Sequence, residues 1–226
     1  REIEKVLVQD GNVDGSLREL SMRARARGFF VQPTDKQRLD RLTGGGVHQG
    51  IAAYISAAKY SELDELFALA AERGEDPFFI VLDGIEDPHN LGAIVRTAEC
   101  AGAHGVIIPK RRAAGLTPTA AKSAAGALEY VPVCRVTNIS QTIDTLKERG
   151  MWIAGAETGG EQYTCANLKG PIAVIVGSEG EGIARIIRKK CDFLLSIPMK
   201  GKITSLNASV AAAVMIYEVV RQRGMG

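Results

Sequence analysis

The 226-residue chain is short of the residues that most often announce chemistry. It has three histidines and four cysteines, and the cysteines (Cys100, Cys134, Cys165, Cys191) stand far apart with no C-x-x-C pair. That spacing argues against a zinc ribbon or a redox motif and fits incidental thiols in a reducing cytosol. None of His48, His89 and His104 has the setting of a catalyst. No apolar run approaches 18 uninterrupted residues, so no membrane-spanning helix is expected. There is no P-loop, and REIEKVLVQD at the start is not a signal peptide; it reads as a chain that opens partway into a fold. A net charge of +2 says little about a polyanionic partner.

What is present is a core. Apolar residues make up 46% of the chain and charged residues 24%, the balance of a globular protein. Charge is uneven: residues 21–41 hold six Lys or Arg against two Asp, and Lys110–Arg111–Arg112 and Arg188–Lys189–Lys190 form further clusters. Such patches can hold phosphates, and they can equally be solvated helix faces.

Residues 1–58 read as a small α/β unit. SLRELSMRARARG has helical spacing with a glycine stop at Gly28, FFVQP is a strand ending at Pro33, and GIAAYIS is another. DKQRLDRLTGGGVHQG between them carries a short helix and a glycine turn. A helix from Ser61 to Arg73, with Ser61 as N-cap and Gly74 beyond its end, is predicted to bridge to the next unit over 59–76. From Pro77 to the end the pattern repeats strand then helix: FFIVLD, GVIIP, VPVCRV, WIAGAE, IAVIVG and FLLSIP are continuously apolar, and helices fall between them. The expected fold class is therefore α/β, a parallel sheet with helices on both faces; strand order stays open.

Three segments follow apolar runs and place polar side chains beside glycines or small residues, as the loops of an α/β sheet do when they carry a site. In DPHNLGAIVRTAECAG, Asn90 occupies an N-cap position and Arg96 lies nearly two turns on. Arg96 is open to two readings, a residue near a pocket or a surface ion pair with Glu86 or Glu99. In GSEGEG, from Gly177 to Gly182, three glycines let the backbone approach a ligand. The spacing is not G-x-G-x-x-G, and Glu179 would repel a pyrophosphate, so a neutral or cationic nucleoside fits better. In SIPMKGKITSLNASVAAAVMIYE, Ser205 is the default N-cap of a helix reaching Arg221, with Asn207 inside it.

Together these segments resemble the SpoU/TrmH branch of the SPOUT methyltransferases, which methylate ribose 2′-hydroxyls in RNA. The resemblance covers nearly all of Phe78 to Arg221, through N-L-G-x-x-x-R-T at Asn90–Thr97, G-x-E-x-x-G at Gly177–Gly182 and I-P-M…S-L-N-x-S at Ile197–Ser209. Residues 1–58 look like a truncated form of the RNA substrate-binding domain that precedes this catalytic domain (77–226 here) in many relatives, VHQGI at Val47–Ile51 marking its end. Within the family the chain looks most like the bacterial 23S rRNA guanosine-2′-O-methyltransferases. The resemblance implies a trefoil knot near the C-terminus, S-adenosyl-L-methionine as cofactor with no metal, a cytoplasmic homodimer without membrane attachment, and RNA, most closely 23S rRNA, as partner. Carried over by position, Gly177, Ile197 and Leu206 would contact the cofactor. Arg96 would be the general base, with Asn90, Glu179, Ser205 and Asn207 organising the ribose and the catalytic loops. Competing readings are the same reaction on tRNA or another rRNA nucleotide, and a non-catalytic RNA-binding or ribosome-assembly factor. A dinucleotide enzyme is the most distant, because the glycine spacing is wrong.

Overall fold

A computed structural model describes residues 3–11 and 15–224. The chain divides into two compact units, residues 1–59 with 115–118 and residues 60–114 with 119–226.

The first unit runs β1 (Ile3–Gln9), α1 (Gly15–Ala26), β2 (Val31–Thr34), α2 (Lys36–Leu42) and β3 (Ile51–Ile55). β1 lies in the middle of a three-stranded sheet, parallel to β2 and antiparallel to β3. This strand was not foreseen in REIEKVLVQD. Val6, Leu7 and Val8 are buried in succession, so the two-residue alternation that marks a half-exposed strand is missing. Pro33, expected to end its strand, lies within β2 opposite Val8. β2 is an edge strand, where the missing N–H of proline breaks no ladder. α2 is capped by Asp35, whose carboxylate accepts from the Arg38 N–H at 2.8 Å.

The second unit begins with α3 (Leu63–Arg73) and alternates β4 (Phe78–Asp83), α4 (Pro88–Cys100), β5 (Gly105–Pro109), α5 (Pro118–Ala124), β6 (Val133–Val136), α6 (Ile139–Glu148), β7 (Trp152–Gln162), β8 (Ile172–Gly177), α7 (Arg185–Arg188), β9 (Phe193–Ser196) and α8 (Ala208–Arg223). Ser61 is not the cap of α3. Its N–H is taken by the Val133 carbonyl at 2.9 Å, and Glu62 caps the helix reciprocally with Glu65. α7 is one turn, shorter than the expected Ile183–Lys189.

All six strands are parallel, in the order β6-β5-β4-β8-β7-β9. Phe78 to Leu82 and Ile172 to Gly177 are buried without interruption, which is why these strands read as solid apolar runs. Burial of each such Ile or Phe contributes roughly 1.5–3 kcal/mol. A parallel sheet puts every strand's carboxyl end on one edge. The succession β4-β5-β6 runs one way across the sheet and β8-β7-β9 lies on the other side, so the topological switch falls between β4 and β8, where open α/β sheets bind ligands. Asp83 and Gly177, the last residues of these two strands, face each other in the ladder there.

Candidate active site

Asn90, Glu179 and Asn207 come from three chain segments and form one hydrogen-bonded cluster. The sequence placed Asn90 as an N-cap, but Asp87 holds that position. Asp87 accepts from the His89 N–H at 2.9 Å, and Pro88 opens the helix, where its lost N–H costs nothing. Asn90, freed from capping, donates its amide to Glu179 Oε1 at 3.0 Å. Asn207, and not Ser205, caps α8: its Oδ1 accepts from the N–H groups of Ser209 and Val210 at 3.0 and 3.3 Å. Its Nδ2 donates to Glu179 Oε1 at 2.6 Å and to Asn90 Oδ1 at 3.0 Å. The Ala208 N–H adds a third donor to the same carboxylate oxygen at 3.2 Å. Three donors and the positive end of a sixteen-residue helix suit a carboxylate. The glutamate that argued against a pyrophosphate thus ties the glycine loop to α4 and α8.

The loop after β8 closes on itself. Ser178 and Gly182 exchange backbone hydrogen bonds at 2.9 and 3.2 Å, and the Ala184 N–H donates to Asp83 Oδ2 at 2.8 Å. A Cβ on Gly177 would lie 2.1 Å from the Gly182 carbonyl carbon, so glycine is required there by the loop's own backbone. Gly182 has φ +65°, the left-handed region that favours glycine. Gly92 of the N-L-G string is likewise a packing residue: a Cβ would meet the Ala120 carbonyl at 2.3 Å, where α4 crosses α5. Asp83 was missed in the sequence, although an acid ending a buried strand was a usable signal.

Arg96 stands apart from the cluster. Six positions along α4 place it about 9 Å further on and about 120° around the axis from Asn90, so it does not return to the same side. It is exposed, and among the described residues it makes no hydrogen bond or ion pair, with Glu86, Glu99 or any other group. Ser205 is also exposed and unpaired among the described residues.

Gly177 ends β8, and Ile197 and Leu206 lie on the segment between β9 and α8. Ile197 and Leu206 are half-buried at the two ends of a segment leaving β9. Among the described residues, nothing in 197–206 forms a hydrogen bond beyond the strand ladder, which leaves this segment's carbonyls, and its N–H groups apart from Pro198, uncommitted beside α8. Cβ atoms on Gly180 and Gly201 would meet nothing within 4 Å. Unpaired backbone, half-buried aliphatic side chains and open glycines at the carboxyl edge suit a nucleoside held through backbone atoms. The residues present therefore fit S-adenosyl-L-methionine.

Cys134, Cys191 and His104 are set in or against the core. Burial pushes the Cys134 and Cys191 thiols up to about 11, which makes them inert. His104 is fully buried, accepting from the Phe78 N–H and bonded to Glu75 at 3.0 Å. Among the described residues no group of three or more His, Cys, Asp or Glu could hold a metal, and no helix is long and apolar enough to cross a membrane.

The chain is similar to known proteins along most of its length. Residues 77–217 match the SpoU rRNA methylase family, and residues 1–61 match the RNA 2′-O ribose methyltransferase substrate-binding family. The chain is 46% identical over 225 residues to a Bacillus subtilis protein named as a TrmH family tRNA/rRNA methyltransferase, YacO, covering 99% of this chain and 90% of that one. It is 45% identical over 222 residues to a Staphylococcus saprophyticus protein of the same family name, covering 98% and 89%. Among solved structures, the SpoU methyltransferase AviRb of Streptomyces viridochromogenes, in complex with AdoMet, superposes with TM-score 0.67 at 26% identity, over 100% of this chain and 84% of that one. The A. aeolicus TrmH/SpoU tRNA modifying enzyme superposes with TM-score 0.62 at 26% identity, over 67% and 77%. Sequence, sheet topology and the loops at the switch point converge: the chain belongs to the SpoU/TrmH family of S-adenosylmethionine-dependent RNA 2′-O-ribose methyltransferases.

Proposed function

We propose that the chain methylates the 2′-hydroxyl of a guanosine in 23S rRNA. In this reading residues 1–58 bind the RNA, 59–76 link, and 77–226 carry catalysis in a knotted, cytoplasmic homodimer. The observation that carries the catalytic part is the Asn90–Glu179–Asn207 cluster, which ties three chain segments into one arrangement beside uncommitted backbone. Support for the rRNA target is the resemblance over both units and the match of residues 77–217 to the SpoU rRNA methylase family.

Bound S-adenosyl-L-methionine supplies an electrophilic methyl group, so what the protein adds is alignment and activation of the ribose oxygen. Gly177, Ile197 and Leu206 hold the donor through backbone and aliphatic contacts. Glu179 keeps Asn90 and Asn207 in fixed rotamers, so that one held carboxylate sets the positions of two loops. Ser205, one residue before Leu206 and without a partner among the described residues, hydrogen-bonds the RNA. Arg96 acts on the 2′-oxygen. Arginine side chains ordinarily carry their proton, and five N–H donors are suited to an oxygen that gains negative charge. Action as the base requires RNA to cover Arg96, since loss of water disfavours a cation.

Tritiated methyl transfer to unmodified total RNA, followed by mapping of the 2′-O-methyl group, tests the target. The expected result is label on one guanosine in 23S rRNA, and label confined to tRNA overturns the rRNA assignment. Sedimentation of the protein at micromolar concentration tests the dimer, a monomer being the contrary result.

A further inference from the structure

The glycine turn of the first unit carries a feature that catalysis does not use. A cavity of about 410 Å³ opens there, lined in part by Gln9, Lys36, Asp40, Val47, His48 and Gln49. Its volume lies within the range of about 300–1,000 Å³ usual for small-ligand sites. We propose that this cavity takes one unpaired nucleotide of the substrate RNA, a proposal that rests on the chain being an RNA methyltransferase.

The turn is built to hold its shape. His48 has a side chain only 7% exposed, and its ring bridges two elements. Nδ1 accepts from the Gly50 N–H at 3.0 Å, which leaves Nε2 to donate to Asp40 Oδ1 at 2.9 Å. The imidazole thereby pins the start of β3 to α2 in one tautomer. Gly50 itself has φ +80°, and a Cβ there would press on Leu17 at 2.6 Å.

On either side of this anchored histidine, two side chains project outward. Val47 is 93% exposed. Gln49 is exposed and has φ +49°, a left-handed conformation that a long side chain rarely adopts. Strain of that kind persists where surrounding bonds over-determine it, and it gathers at binding sites. Neither residue adds to a core, so the folding of the unit does not account for them.

The lining chemistry matches a nucleotide part by part. Lys36 is an exposed ammonium suited to a phosphate. The side-chain amides of Gln9 and Gln49, each donor and acceptor, make no hydrogen bond among the described residues and can pair with a base edge. Asp40 keeps its second carboxylate oxygen for an N–H donor, because His48 occupies only Oδ1. Val47 offers methyl groups to a base face. Bases can be inserted into such a cavity only from single-stranded loops or bulges, where they are unstacked. The six Lys and Arg of residues 21–41 belong to the same unit and supply the attraction for a polyanion.

The test compares the full chain with the Lys36→Ala/Gln49→Ala double variant and with Val47→Ala. Fluorescence anisotropy is read with a labelled mixed-sequence single-stranded RNA, with the same RNA as a duplex, and with heparin in competition; cofactor affinity is read by calorimetry. The expected result is at least a tenfold loss of single-stranded RNA affinity in the double variant and a smaller loss in Val47→Ala. Heparin binding and S-adenosyl-L-methionine affinity should change less than threefold, which also shows that the variants fold. Wild-type affinity for single-stranded RNA in the variants overturns the proposal and leaves the enzyme assignment standing. Equal losses toward RNA and heparin overturn it too, reducing the site to charge alone. A wild-type chain that binds the cofactor but neither binds nor methylates any RNA overturns the assignment on which the proposal rests.

Discussion

α1 of the first unit and α4 of the second are nearly equal in length and opposite in use. α1 buries none of its twelve residues, whereas α4 buries five of thirteen: Leu91, Gly92, Ile94, Val95 and Ala98. The same contrast holds for the sheets. Three strands with a buried stretch at Val6 to Leu7 to Val8 support the first unit, while six parallel strands, with β4 and β8 buried almost throughout, support the second. A site that must align two reacting atoms has its loops fixed to a dense core. α1 carries arginines where a core helix would carry leucines.

Several substitutions would break or sharpen this contrast. The largest effect is expected for Arg96→Ala. Methyl transfer should fall about 10²–10⁴-fold, with cofactor affinity within a few-fold, by tritium incorporation and calorimetry; near-normal turnover would remove Arg96 from the mechanism. Ile175→Ala, at the fully buried centre of β8, should cost about 2–5 kcal/mol in urea unfolding, and a loss below 1 kcal/mol would mean that the second core is looser than its burial indicates.

Glu179→Gln keeps the shape but removes the charge that three donors address. Cofactor affinity should drop about tenfold, close to 1.4 kcal/mol, the lower end of what hydrogen bonds to a charged group contribute. RNA affinity should hold.

His104 gives the second unit a pH dependence. Burial holds its imidazole below the ordinary 6.5, against the opposing pull of Glu75. As pH falls below 6.5 the unfolded chain takes up a proton before the folded one does. The stabilisation is therefore complete above 6.5 and is lost on acidification toward the lowered folded value. Melting temperatures between pH 8 and pH 5 should decline more steeply for the wild type than for His104→Asn, and parallel curves would rule His104 out. The smallest effect belongs to Leu20→Ala on α1, half-exposed at 50%; a change within about 0.5 kcal/mol is expected, and a larger one would show that α1 is anchored more firmly than its exposure indicates.

Much of the second unit could be read directly from its residues. Buried parallel strands carry uninterrupted apolar runs, and FFIVLD and IAVIVG became β4 and β8 nearly residue for residue. Helix starts were harder, because Ser61, Asn90 and Ser205 each had a competing neighbour that took the cap. In each case the choice depended on a distant partner: Val133 for Ser61, and Glu179 for both Asn90 and Asn207. β1 was missed because its apolar run, Val6 to Val8, is too short to stand out as a buried strand and has no alternation to mark it as a half-exposed one.

The amino-acid order alone determined the α/β class, the parallel sheet and the three segments that would carry chemistry, since apolar runs and glycine spacing are local properties of the chain. Tertiary structure decided which side chains meet. Glu179 lies 89 positions from Asn90 and 28 from Asn207, and only the strand order, which sets β8 beside β4, brings them onto one edge. It also left Arg96 outside that cluster, because a helix turns 100° per residue and six residues do not complete a second turn.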